Sequence, residues 1–172
     1  MLAGEETTEN YKPRVAERAN EILIGSRAIR AFPFDCFSLI QELGKEIAIA
    51  AMPFSWIEEQ GMNAEDVVLS EDAGTFETGG RYIIFYNQKR PQVRLTFSMA
   101  HEIGHIVLGH DMERVTGYRK AENPRHKALY DRYECEANYF ASCLLMPEPV
   151  INRLMSLGCG ITAAFLKDIV NA

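Results

Sequence analysis

The sequence contains no apolar run approaching the roughly 18–20 residues that a membrane-crossing helix requires. Its N-terminus, MLAGEETTENYKPR, carries acids where a signal peptide carries bases, and no apolar stretch follows. The expected location is the cytoplasm, with no membrane partner. Cysteine is sparse: Cys36, Cys135, Cys143 and Cys159 show no CxxC spacing, which argues against a disulfide-stapled secreted scaffold and leaves free thiols as the expectation. Basic charge is short as well, with 18 Lys and Arg against 24 Asp and Glu and a formal net charge of −6. Nucleic-acid surfaces concentrate Lys and Arg, so no direct nucleic-acid binding is expected. The cluster Arg81, Lys89, Arg90 and Arg94 reads as a solvated rim around a strand and a turn.

Internal repeats, low-complexity tracts and interdomain linkers are also missing. With 172 residues, 47% of them hydrophobic, the chain is long enough for one self-sufficient core. Residues 1–10 are polar and aperiodic and are expected to form a disordered tail, with 11–172 as a single domain.

Within that domain, apolar positions recur at helical spacing from Val15 to Ile29. A second helix is expected through Phe37, Leu39, Ile40 and Leu43, capped by Asp35 and closed by Gly44. Glu46–Ala50 suggests a strand, followed by a short helical turn containing Trp56. Val67–Leu69 and Gly74–Glu77 suggest short strands, and Gly79-Gly80 a turn into the aromatic and β-branched strand Arg81–Asn87. After Pro91 the texture is helical to Gly109. A further helix runs from about His126 or Ala128 to Met146, and two short ones follow near Val150–Leu157 and Ile161–Val170. The pattern is α+β, with helices at both ends of a small antiparallel sheet.

The chemistry centres on His101-Glu102-Ile103-Gly104-His105. Residues i and i+4 of a helix lie about 40° apart around its axis, so His101 and His105 present two imidazoles to one point. Neutral imidazole nitrogen is a ligand that Zn²⁺ accepts. Glu102 flanks that point and can act as general base toward a water activated by the ion. A solvated surface helix fits less well, because Ile103, Ile106, Val107 and Leu108 are interleaved with the polar groups.

A third protein ligand is needed. His110 is nine residues from His101, on the opposite helical face, and reads as an exposed histidine near a helix end. Glu134, Ala137, Asn138 and Ala141 form one stripe on the later helix, whose alanines permit close helix approach. Glu134 is therefore the candidate ligand, and Asn138 can hydrogen-bond the free nitrogen of a ligating histidine. Glu136, about 200° around the axis from Glu134, faces elsewhere. The competing reading leaves both glutamates on a solvated face. Donors for a developing oxyanion are open among Tyr86, Tyr118, Tyr130, Tyr133, His126 and Arg94. A substrate strand could pair beside Tyr82, Ile84 and Tyr86 if Arg81–Asn87 is a sheet edge.

HEIGH together with ECEANYFASCLLMP, preceded by IIFYN and RLTFSMA, resembles the ImmA/IrrE family of metallo-endopeptidases. The likeness is close from about Arg81 to Pro147 and looser from Val15 to Leu43. It implies a minimal gluzincin: a small, mostly antiparallel sheet packed on a zincin-type HExxH helix and a second ligand-bearing helix, with further N- and C-terminal helices. It also implies one Zn²⁺ held by His101, His105 and Glu134, with Glu102 as catalytic base. The implied substrate is a helix-turn-helix repressor, in a mobile element or a stress response. A zinc-stabilised protein that captures such a regulator without cutting it is the alternative. Cys135 and Cys143 depart from the family pattern and are expected to fill core.

Overall fold

The computed structural model describes residues 10–30, 34–112, 123–158 and 162. Helix α1, Lys12–Gly25, opens with Pro13 in its first turn and buries Val15 and Ala19. It stops short of Ile29, because Ser26 turns extended and the Glu42 carboxylate takes up the Arg27 and Ala28 amides beyond it. Helix α2, Cys36–Ile47, is capped by Asp35, which accepts from the Phe37 and Ser38 amides. It does not end at Gly44. A Cβ there would stand 2.7 Å from the Ile49 carbonyl oxygen, so glycine is what lets the next strand start against the helix.

Strand β1, Ile49–Pro53, leads into two short helices, α3 (Phe54–Glu58) and α4 (Ala64–Val68). The second replaces the strand expected at Val67–Leu69. Asn63 caps it through the Glu65 and Asp66 amides, and a three-residue apolar run carries no period to tell helix from strand. Strands β2 (Ala73–Thr78) and β3 (Arg81–Tyr86) form a hairpin through Gly79 and Gly80, both at positive φ. Helices α5 (Gln92–Val107), α6 (Pro124–Leu145) and α7 (Glu148–Ser156) complete the described fold. The helix expected at 161–170 and most of the expected tail at 1–10 lie outside the described residues.

The sheet order is β1-β3-β2. β2 and β3 pair antiparallel, as the hairpin requires, whereas β1 pairs parallel with β3, so the sheet is mixed rather than mostly antiparallel. The end of β1 at Pro53 and the start of β2 at Ala73 both pair with Tyr86, so α3 and α4 stay at one end of the sheet and β2 makes the return run that leaves β3 parallel to β1. β3 is thus the central strand, buried on both faces: Ile84 joins the large core and Phe85 a smaller one. The large core gathers α1, α2, α5 and α6, with Leu39, Met99, Ile103, Phe140 and Leu144 fully buried. The small core holds Phe54, Ile57, Ala64, Val68 and Phe85. Among the described residues no helix is long and apolar enough to cross a membrane.

Candidate metal centre

Helix α5 enters the large core on one face through Leu95, Met99, Ile103 and Ile106, and its adjoining face carries His101 and His105 toward α6. The two helices approach closely because Gly104 meets Ala137 and Phe140. A Cβ at 104 would stand 3.0 Å from the Phe140 ring and 3.3 Å from the Ala137 carbonyl oxygen. Asn123 starts α6 by accepting the Arg125 amide, with Pro124 in the first turn, one helical turn earlier than the apolar pattern alone suggests.

This packing brings three ligand groups together. The Nε2 atoms of His101 and His105 lie 3.0 Å apart, and each is 3.5 Å from a Glu134 carboxylate oxygen. Metal–nitrogen bonds of 2.0–2.1 Å in tetrahedral geometry give ligand–ligand edges of roughly 3.3 Å, so the triangle has the size of a zinc site's face. His101, His105 and Glu134 are the group that could hold a metal among the described residues.

Proton placement fits a cation as well. His101 donates from Nδ1 to the Asn138 Oδ1, 3.0 Å away, which leaves its Nε2 as a bare lone pair. The Nδ1 of His105 lies 2.9 Å from the Nδ1 of His110, whose Nε2 is 3.1 Å from Glu136. Burial pushes His110 down to about 4, helped by the neighbouring His105, so at neutral pH its imidazole carries a single proton. That proton belongs on Nε2, facing the acceptor-only carboxylate of Glu136. His105 then donates from Nδ1 and turns a second lone pair toward the first. Two lone pairs and a carboxylate converge on one point, an arrangement that a divalent cation satisfies. Burial also pushes His101 below the usual histidine range, with Glu102 and Glu134 pulling the other way.

Glu102 is 8% exposed and accepts a 2.7 Å hydrogen bond from the Thr75 hydroxyl of β2. A cleft of about 280 Å³ opens over the group, walled by Val68–Ser70 and Asp72–Thr75 on one side and by α5 and α6 on the other. Of the oxyanion candidates, Tyr130 and Arg94 line this cleft. Arg94 is paired there with Asp72 at 2.7 Å. Tyr86 instead packs on Phe37, Tyr133 stacks on His110, and His126 is not part of the lining. Tyr118 lies outside the described residues.

Three expectations need correction. Tyr82, Ile84 and Tyr86 cannot receive a substrate strand, because β3 is paired along both edges; the outer strand facing the cleft is β2. His110 is only 5% exposed rather than solvated, since the chain turns at Gly109 and folds the ring back under His105. Its neighbour Glu136 is equally withdrawn from solvent, 1% exposed, and ion-paired to Arg14 and Arg132 at 2.7 and 2.9 Å. Cys135 is exposed and fills no core, whereas Cys143 is half-buried against the large one. Sequence reasoning missed Thr75 altogether; a lone threonine in a short strand carries no signal of its long-range partner.

A helix bearing two convergent histidines with a glutamate between them, completed by a carboxylate from a second helix, is a metallopeptidase type of centre. The family model for the IrrE N-terminal-like domain, Peptidase M78, matches residues 47–160, from β1 through α7 and across every residue of the centre. The chain belongs to this metalloprotease family. It is also similar to the radiation response metalloprotease IrrE of Deinococcus radiodurans, 30% identical over 95 residues, which are 55% of this chain and 28% of that protein. The chain thus matches little more than a quarter of that relative's length.

Proposed function

We propose that the chain is a zinc-dependent endopeptidase acting in the cytoplasm, and that its substrate is a helix-turn-helix transcriptional repressor of a mobile element or stress response. The observation that carries the peptidase reading is the convergence of His101, His105 and Glu134 within 3.5 Å beside a buried Glu102 at the floor of a cleft. The repressor rests on the family resemblance alone.

His101, His105 and Glu134 would hold the zinc ion, which would supply Lewis acidity for activating water and polarising a peptide carbonyl. Glu102 accepts the proton of the attacking water and passes it to the leaving amine. Thr75 holds the Glu102 carboxylate in place for that transfer. An extended peptide would lie along β2, whose outer edge pairs with no strand among the described residues and whose Ala73–Thr75 line the cleft. Tyr130 or Arg94 would face the developing oxyanion.

Incubating the purified protein with a candidate repressor, with and without a chelator, tests the reading. Chelator-sensitive fragments are expected, and the Glu102→Gln protein should bind zinc but leave the repressor intact. A stable, uncut complex would favour an adaptor, and cleavage by Glu102→Gln would remove the general base.

A further inference from the structure

We propose that His110 and Glu136 are positioning residues for the metal, holding His105 in the one tautomer whose Nε2 lone pair faces His101 and Glu134. The inference rests on the metal-centre reading and adds to it a defined chain of hydrogen bonds. Glu136 can only accept, so it fixes the His110 proton on Nε2, 3.1 Å away. The His110 Nδ1 is then an acceptor, and the 2.9 Å contact requires that His105 donate from Nδ1. Two more contacts lock the pair. The His110 amide donates to the His105 carbonyl at 3.0 Å, and the Tyr133 ring stacks on the His110 imidazole at 4.2 Å between centroids.

The far end of the chain explains an otherwise costly arrangement. A carboxylate withdrawn from solvent as fully as Glu136 is unfavourable unless paired and hydrogen-bonded. Arg14, Arg132 and His110 supply three partners. Two guanidinium groups and an imidazole N–H thus compensate the negative charge of the Glu136 carboxylate. Through His110 that charge increases the electron density of His105 and thus its strength as a ligand. Arg14 comes from α1, outside residues 47–160, so the N-terminal helix contributes directly to the ordering of the centre. His101 has a different outer partner, the neutral amide of Asn138.

The test uses the full chain and two readouts other than turnover. Zinc affinity is measured by chelator competition, and the His105 tautomer is read from ¹⁵N ring shifts of the metal-free protein. His110→Leu removes the acceptor and should weaken zinc binding by roughly 10–100-fold, with His105 divided between tautomers. His110→Asn places an amide oxygen near the former Nδ1 and should recover most of the affinity and the Nδ1–H tautomer. Glu136→Gln should weaken binding and carries the test if His110→Leu does not fold. Wild-type affinity together with an unchanged tautomer in His110→Leu or Glu136→Gln would overturn the relay alone. A wild-type protein that binds no zinc would overturn the metal centre, and the positioning role with it.

Discussion

The cleft has one wall of helix and one of sheet, and the two are anchored very differently. The helical wall stands on the large core, where Met99, Ile103, Phe140 and Leu144 are fully buried around the stems of the ligand residues. The sheet wall stands on the small cluster of Phe54, Ile57, Ala64, Val68 and Phe85. All three candidate ligands and both of their histidine-orienting chains belong to the helical wall. Among the described residues, the sheet wall reaches Glu102 through the hydrogen bond from Thr75, and Arg94 through the Asp72 carboxylate. Metal ligands must be held within about 0.5 Å of their working positions, so they are placed where packing is deepest. A surface that must admit a peptide can be built on less.

This division predicts that damage to the helical wall costs metal and damage to the sheet wall costs turnover. The largest effect is expected for Glu134→Gln, which removes the ligand charge; zinc affinity by chelator competition should fall by more than the roughly 100-fold that losing an outer partner causes. Near wild-type affinity would remove Glu134 from the centre. Gly104→Val comes next. Its side chain would press on Phe140 and the Ala137 carbonyl, and overpacking of this kind costs about 1–3 kcal/mol. Denaturant unfolding of the metal-free protein should show that loss, accompanied by weaker zinc binding as α6 is displaced. Unchanged affinity would mean that the ligands do not depend on the close helix approach. Thr75→Val should be milder: zinc content is retained, and turnover falls about 10-fold as a buried carboxylate loses a hydrogen bond. Loss of zinc in this variant would erase the distinction between the walls.

What could be read from sequence follows the same division. The period of α5 and α6 placed His101 and His105 on one face and put Glu134 in register with Ala137 and Asn138, because helical geometry ties side-chain direction to spacing. The Asp35 cap and the Gly79-Gly80 hairpin were legible for a similar local reason. Contacts decided by tertiary packing were not. Nothing local distinguishes the Gly109 turn that folds His110 inward from one that leaves it in solvent. The pairing of Glu136 with Arg14 spans 122 residues, and the parallel seat of β1 beside β3 is a pairing between strands that are not neighbours in sequence. The strand proposed for substrate pairing was misplaced because strength of strand pattern marks a central strand as readily as an edge.

The smallest predicted effect tests how the helical wall is propped from behind. Glu42 on α2 binds the turn that ends α1, accepting from the Ser26 hydroxyl and from the Arg27 and Ala28 amides. The Ser26 bond first, and then the two amides, hold its carboxyl at about 2, against an ordinary value of 4.5. A carboxyl depressed in the folded state adds stability above its unfolded pKa and loses it as pH falls through the folded one. Wild type should therefore unfold at a higher temperature than Glu42→Gln from pH 7 down to about 5, with the gap closing between 4.5 and about 2. The group is only partly withdrawn from solvent, which screens its charge, so the gap should be smaller than that for Gly104→Val. Zinc affinity at pH 7 should change little, since neither Glu42 nor its partners Ser26, Arg27 and Ala28 line the cleft. A gap that persists unchanged to pH 3 would assign the effect to packing of the side chain rather than to its charge.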